Sequence, residues 1–210
     1  MINFVQKFIS KVFKQLFKQK RELRIGLYGP PNGGKTTLAN RISMDWLGEE
    51  VGTVSPIPHE TREITVKEQI TVKSGKKELT FNLVDTPGIA TKIDYEDFVK
   101  AGLTTAQAKK RAKEATRGVI EAIKWLDDMD IVVVVLDSTK DPYSQVNITI
   151  IGNLQAREIP VLVVANKIDL RRARIKRLQD AFPQYDVVGI SARKGTNMDR
   201  FYEALFAVSR

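Results

Sequence analysis

Leu23-Arg-Ile-Gly-Leu-Tyr-Gly-Pro-Pro-Asn-Gly-Gly-Lys-Thr36 is the stretch on which the fold of this chain turns. Its first six residues, Leu23–Tyr28, form a short apolar run that reads as a strand. The next eight, Gly29 to Thr36, match the pattern G-x-x-x-x-G-K-[ST], and residues 37–47 continue as a helix. The pattern needs a strand before it and a helix after it, and both are present, which argues against a chance glycine-rich turn. Glycines let backbone N–H groups turn inward around phosphate oxygens, and the start of a helix adds positive potential. Lys35 would reach the β- and γ-phosphates of a nucleotide, and the Thr36 hydroxyl would ligate Mg²⁺.

Outward from this loop the chain alternates. Residues 48–62 hold Gly52, Pro56 and Pro58 with little periodicity and read as a loop. Ile64–Val72 and Leu79–Val84 alternate in polarity on either side of Ser74-Gly-Lys-Lys77, which predicts a β-hairpin. The segment 89–103 reads as an irregular insert, followed by a long helix from about Thr104 to Asp127 with Thr104 or Thr105 as its N-cap. Three strand–helix units complete the chain: 131–136 with 142–157, 160–165 with 171–182, and 187–190 with 197–208. Ile131–Leu136 is wholly apolar, as expected of a strand covered on both faces. The expected fold is α/β, a mostly parallel six-stranded sheet with one antiparallel edge strand and helices on both faces. The expected organisation is a basic helix over 1–21 and one domain over 22–210, with no room for a second.

Three more short motifs stand at predicted strand ends, where open α/β sheets bind ligands. Asp85-Thr-Pro-Gly88 offers a carboxylate that can hold Mg²⁺ through water and a Gly88 N–H that can sense a γ-phosphate. Asn166-Lys-Ile-Asp169 offers a carboxylate able to accept both N1–H and N2–H₂ of guanine. Adenine has no such pair, so its binding would leave polar groups unsatisfied. Ser191-Ala192-Arg193 follows, with the Ala192 N–H placed to meet guanine O6. The expected nucleotide-binding set is Asn32, Gly33, Gly34, Lys35, Thr36, Thr37, Asp85, Gly88, Asn166, Lys167, Asp169, Ser191, Ala192 and Arg193. Each motif alone is weak; the four in this order make a specific signature for binding and hydrolysing GTP.

On these motifs the chain, from about residue 23 to 208, resembles the Era-like branch of the translation-factor-related small P-loop GTPases, a group that includes Era, Der and MnmE. Gly29, Pro31, Asn32, Gly34, Lys35 and Thr36 fit that branch's form of the first motif, G-x-P-N-x-G-K-[ST]. Thr61-Arg62-Glu63 resembles the end of its switch I, with glutamate where aspartate is usual and with Glu60 in place of a common threonine. The resemblance implies that Thr61 closes on Mg²⁺ when GTP is bound, although Thr53 lies in the same loop. Many small GTPases orient the attacking water with a glutamine after D-x-x-G; here that position is Ile89. Relatives with asparagine at the Asn32 position bind K⁺ beside the phosphates, so the resemblance implies a K⁺ site at Asn32. The alternative is that Asn32 only shapes the loop. Lys35, Thr61, Gly88 and Asn32 are thus the expected catalytic residues, with slow basal turnover accelerated by a cation, an effector or activator at switch I or II, or a nucleotide-dependent homodimer.

Composition narrows the remaining classes. No apolar run approaches the roughly 18 residues that span a bilayer. There is no cysteine, which excludes disulfides and thiolate sites, and the single His59 excludes multi-histidine metal sites. His59 reads as a solvated loop residue, Arg62 as the partner of a surface carboxylate rather than a charge stabiliser, and Trp46 and Trp125 as packing residues. The net charge of +9 points to an anionic partner. Residues 1–21 carry six lysines and arginines and no acid, with Val5, Phe8, Ile9, Val12, Phe13, Leu16 and Phe17 at helical spacing. Such a helix either binds an anionic membrane or packs on the protein or a partner. The expected location is the cytoplasm, peripheral on the membrane face. The competing class is a ribosome- or RNA-associated GTPase, weighed down by two expectations: the RNA-binding KH domain that follows the G domain in Era has no counterpart here, and the basic clusters outside the N-terminal helix lack interleaved aromatics.

Overall fold

The computed structural model describes residues 23–48, 64–74, 77–90 and 93–209. The expected helix over 1–21, and Thr53, His59, Thr61 and Arg62 of the switch I loop, lie outside the described residues.

The strands are β1 (Leu23–Tyr28), β2 (Thr65–Ser74), β3 (Lys77–Asp85), β4 (Ile131–Asp137), β5 (Val161–Asn166) and β6 (Val187–Gly189). They form one sheet in the order β2-β3-β1-β4-β5-β6. Every neighbouring pair is parallel except the hairpin β2–β3, so the expected antiparallel edge strand is β2. The chain leaves β1 toward β3 on one side and later returns to β4 on the other. That reversal makes a crevice beyond the carboxyl ends of β1 and β4, the usual ligand position in such sheets. Register then brings the motif residues to this end: Leu27 stands opposite Asp85, and Asp137 opposite Asn166.

The helices are α1 (Lys35–Leu47), α2 (Tyr95–Lys100), α3 (Thr105–Trp125), α4 (Gln145–Ala156), α5 (Ile175–Ala181) and α6 (Met198–Val208). Alternation along β4 builds two cores. Ile131, Val133 and Val135 join Leu38, Ile42, Phe201 and Leu205 of α1 and α6 on one face. Val132, Val134 and Leu136 join Ala122, Ile150, Leu154 and Leu178 on the other. Each fully buried aliphatic side chain contributes about 1.5–3 kcal/mol relative to exposure, so a strand covered on both faces is a rigid base for the loops at its end. Trp46 meets the edge of Tyr202 at 5.5 Å, and Trp125 packs half-buried against the second core, the packing roles expected of both.

Two expectations change. The insert 89–103 is not wholly irregular: Asp94 caps α2 by accepting from the Glu96 N–H at 3.0 Å, and Phe98 buries against Ala108 and Ala115 of α3. One apolar anchor in six residues gives no periodicity to read. The helix expected over 171–182 spans only Ile175–Ala181. Before it, the Ala173 N–H turns back to the Leu170 carbonyl and the Arg174 N–H donates to the Ser138 carbonyl, which holds residues 170–174 as a turn against the loop after β4. Thr104 caps α3 in a reciprocal capping box with Gln107, as the sequence suggests.

Candidate functional site

The loop after β1 lies across β4 and feeds directly into α1. Gly34 precedes α1 with φ 98, a left-handed backbone, and a Cβ there would collide with the Asn166 amide. No side chain caps this helix start, and the positive end of its dipole favours an anion there. Lys35 is buried, and its Nζ donates to the carbonyls of Pro30 at 3.0 Å and Gly29 at 3.3 Å. Burial lowers its pKa to about 8, against the opposing pull of Asp85. An ammonium held in a ring of carbonyls with so little solvation is ready to pair with phosphate oxygens.

Asp85, at the end of β3, is 1% exposed. Its Oδ2 accepts from the Thr36 hydroxyl at 2.7 Å, while Oδ1 is buried without a hydrogen-bond partner. Burial pushes this carboxyl above the usual range, with Thr36 and Lys35 opposing it. A buried carboxylate oxygen left over beside a hydroxyl fits a hydrated Mg²⁺, which Thr36 and Asp85 would hold. Among the described residues no group of three or more His, Cys, Asp or Glu could hold a metal, so a divalent ion here needs ligand phosphates as well. The next loop packs closely on the first. The Ile89 N–H donates to the Gly29 carbonyl at 3.0 Å, and a Cβ on Gly88 would stand 2.7 Å from Pro31 Cα. Ile89 itself is buried in the second core and offers no hydrogen bond to water.

Asn166 ties three loops together. Its Nδ2 donates to the Gly33 carbonyl at 3.0 Å, and its Oδ1 accepts from Lys167 N–H at 2.8 Å and Ala192 N–H at 3.0 Å. It is therefore a buried crosslink that also lines the cavity, with one Nδ2 hydrogen committed to Gly33. The Ala192 N–H, expected at guanine O6, is directed at Asn166 in this structure. Asp169 is the carboxylate in the wall of a cavity of about 680 Å³, which Gly34, Thr37, Lys167, Ser191, Ala192 and Arg193 also line. The nearest cation to Asp169 is the exposed Lys194 at 3.9 Å. Its acceptor oxygens are thus available to a donor pair such as the guanine edge.

Two residues outside the motifs shape this site. Asp137 ends β4, and its Oδ2 receives Lys167 Nζ at 2.7 Å; the same Nζ donates to the Asn32 carbonyl at 2.7 Å. Burial raises the Asp137 carboxyl, but the Lys167 ammonium and the Thr139 donors outweigh it and hold it below the usual range. Asn32 is exposed, with left-handed φ 59. Arg41 on α1 donates to the carbonyls of Ala192 at 3.2 Å and Arg193 at 3.1 Å, bracing the last loop. Asp137 has a visible signal, a carboxylate at the carboxyl end of a buried strand. Arg41 has none, since nothing local shows which loop a helix arginine meets.

A family model described as "50S ribosome-binding GTPase" matches residues 24–167. A GTPase Der of Thermotoga petrophila is 31% identical over 87% of this chain and 38% of its own length. A GTPase Era of Halothermothrix orenii is 28% identical over 87% of this chain and 54% of its own length. The chain thus spans about four-tenths to half of the length of these two relatives. Among solved structures, Era in complex with MgGDPNP and nucleotides 1506–1542 of 16S ribosomal RNA superposes with a TM-score of 0.67 and 25% identity, over 88% of this chain and 56% of that one.

Proposed function

The chain belongs to the 50S ribosome-binding GTPase family, in its Era-like branch of P-loop GTPases, and on that premise we propose that it is a guanine-selective switch that hydrolyses GTP to GDP and phosphate. The observation that carries this reading is the convergence of three loops on one cavity, pinned by the buried Asn166 amide, with the Asp85–Gly88 loop packed on the first of them. The amides at the start of α1 and the Lys35 ammonium bind the phosphates. Thr36 and Asp85 would hold Mg²⁺, which would supply positive charge against the phosphates. The Gly88 N–H senses the γ-phosphate, Asp169 reads the guanine edge, and Thr61 would add a ligand to Mg²⁺ in the GTP state.

Because Ile89 cannot position water, turnover depends on a group from outside the described site. The proposed group is K⁺ beside Asn32, which supplies the charge that an arginine finger supplies elsewhere. GTP hydrolysis is then faster in KCl than in NaCl at equal ionic strength, and Asn32→Ala erases the difference. Equal rates in both salts for the wild type would remove the cation and leave an activator's side chain or a homodimer as the source.

For the cellular role, the second reading is RNA- or ribosome-associated. The family description and the rRNA complex of the Era relative support it. Peripheral attachment through residues 1–21 to the cytoplasmic face of an anionic membrane is the competing proposal. Flotation of GTP- and GDP-loaded protein with anionic vesicles tests it; absence of the protein from the vesicle fraction in both states would end it.

A further inference from the structure

Residues 171–177 place five basic side chains in seven positions, with no acid between Asp169 and Asp180. The turn before α5 and α5 itself keep Arg171, Arg172, Arg174, Lys176 and Arg177 exposed. Arg177 pairs with Asp141 at 3.3 Å, and Arg174 donates to carbonyls of its own turn. Arg171, Arg172 and Lys176 have no ion pair among the described residues. Uncompensated charge of this density costs self-repulsion unless something anionic meets it.

As a linear motif this cluster lacks an aromatic, but the fold supplies one. Asp141 Oδ1 accepts from both Arg177 and the backbone N–H of Tyr143. One carboxylate oxygen therefore joins the basic turn to the loop after β4, and Tyr143 is 57% exposed there. Leu170, at the near end of the basic run, is 47% exposed and lines the guanine cavity. We infer that this surface binds a single-stranded polynucleotide beside the mouth of the nucleotide pocket. Guanidinium forks pair with phosphodiester oxygens, and a tyrosine ring stacks on a base without regard to sequence. Four of the five cations are arginine, which suits phosphate forks. Among the described residues, the exposed large apolar side chains tied to this surface are Tyr143, Leu170 and, in the cavity wall it shares with Leu170, Met44, too narrow a face for insertion into a bilayer. The inference rests on the RNA-associated reading and gives it a location.

The test measures binding of a short fluorescent single-stranded RNA, and DNA of the same sequence, to the full-length GDP-loaded chain over a range of KCl. Arg171→Gln with Arg172→Gln and Lys176→Gln is expected to weaken binding at least about tenfold. It should also flatten the slope of log K against log salt by about 2, since each phosphate contact on a single strand contributes about 0.7. Tyr143→Ala is expected to weaken binding at least about fivefold with the slope unchanged, because stacking releases no counterions. GDP affinity and thermal stability should be unchanged in both variants. Binding of RNA and DNA alike supports recognition of the shared backbone and bases; tighter RNA binding supports an RNA source. Wild type that binds while both variants bind equally well would overturn the location and spare the RNA reading. Wild type that binds neither oligonucleotide would overturn both. Loss of anionic-vesicle binding in the triple variant, with oligonucleotide binding intact, would assign the surface to a lipid headgroup instead.

Discussion

Lys35 and Asp85 form an opposed buried pair in which each charge is costly on its own. Burial lowers the lysine to about 8, whereas phosphate oxygens favour its charged form. The linkage has a definite sign. Below about pH 8 Lys35 is already protonated and binding takes up no proton through it. As pH rises above 8 the free protein loses the proton that binding must restore, so GDP affinity falls. Titration from pH 7.5 to 9.5 should show this loss, and flat affinity across the window would contradict it. Asp137 is the second residue to test. It holds Lys167 Nζ, which in turn holds the Asn32 carbonyl, so it positions the phosphate loop through an intermediary. Lys167 keeps partial access to solvent, which moderates the effect. Asp137→Asn should therefore weaken GDP binding about three- to tenfold, measured by nucleotide titration beside a melting curve. Unchanged affinity would make the pair an ornament of the surface.

Among the elements, the parallel strands and the long helices were legible because their patterns are long and their ends carry turn chemistry. Ile131–Leu136 could be little else than a strand buried on both faces, and Thr104, one of two threonines read as the N-cap, caps α3. What escaped were features decided by contacts distant in the chain. The β2–β3 ladder shifts register between Lys67 and Ile70, where Gln69 has left-handed φ 56 and its N–H donates to the Asn82 side chain. The start of α5 is set by a hydrogen bond to Ser138, and α2 exists because Phe98 finds α3. Phe98→Ala should cost about 3 kcal/mol, appearing as lost hydrogen-exchange protection in α2 and the first turns of α3. GDP affinity should not change, since this small core lies apart from the phosphate loop. Unaltered protection would mean that α2 does not depend on its anchor.

At the scale of the whole molecule, one sheet end gathers loops from four separate parts of the chain, and buried side-chain amides and ion pairs replace what a single rigid loop could not provide. The motifs specified which residues meet there, because strand order and chain order together bring their ends into line. They did not specify how the loops lock: Asn166 acts as a crosslink, Ala192 N–H faces that crosslink, and Asp137 and Arg41 brace the set from outside any motif. In the proposed function this convergence reads guanine through Asp169. Competition of GTP, ATP and xanthosine triphosphate for the wild-type protein and for Asp169→Asn tests it most directly. Wild type is expected to prefer GTP over ATP by orders of magnitude, and Asp169→Asn to lose GTP affinity while gaining xanthosine triphosphate, whose C2 oxygen accepts from the new amide. Equal wild-type affinity for ATP and GTP, or an Asp169→Asn variant with unaltered preference, would contradict it.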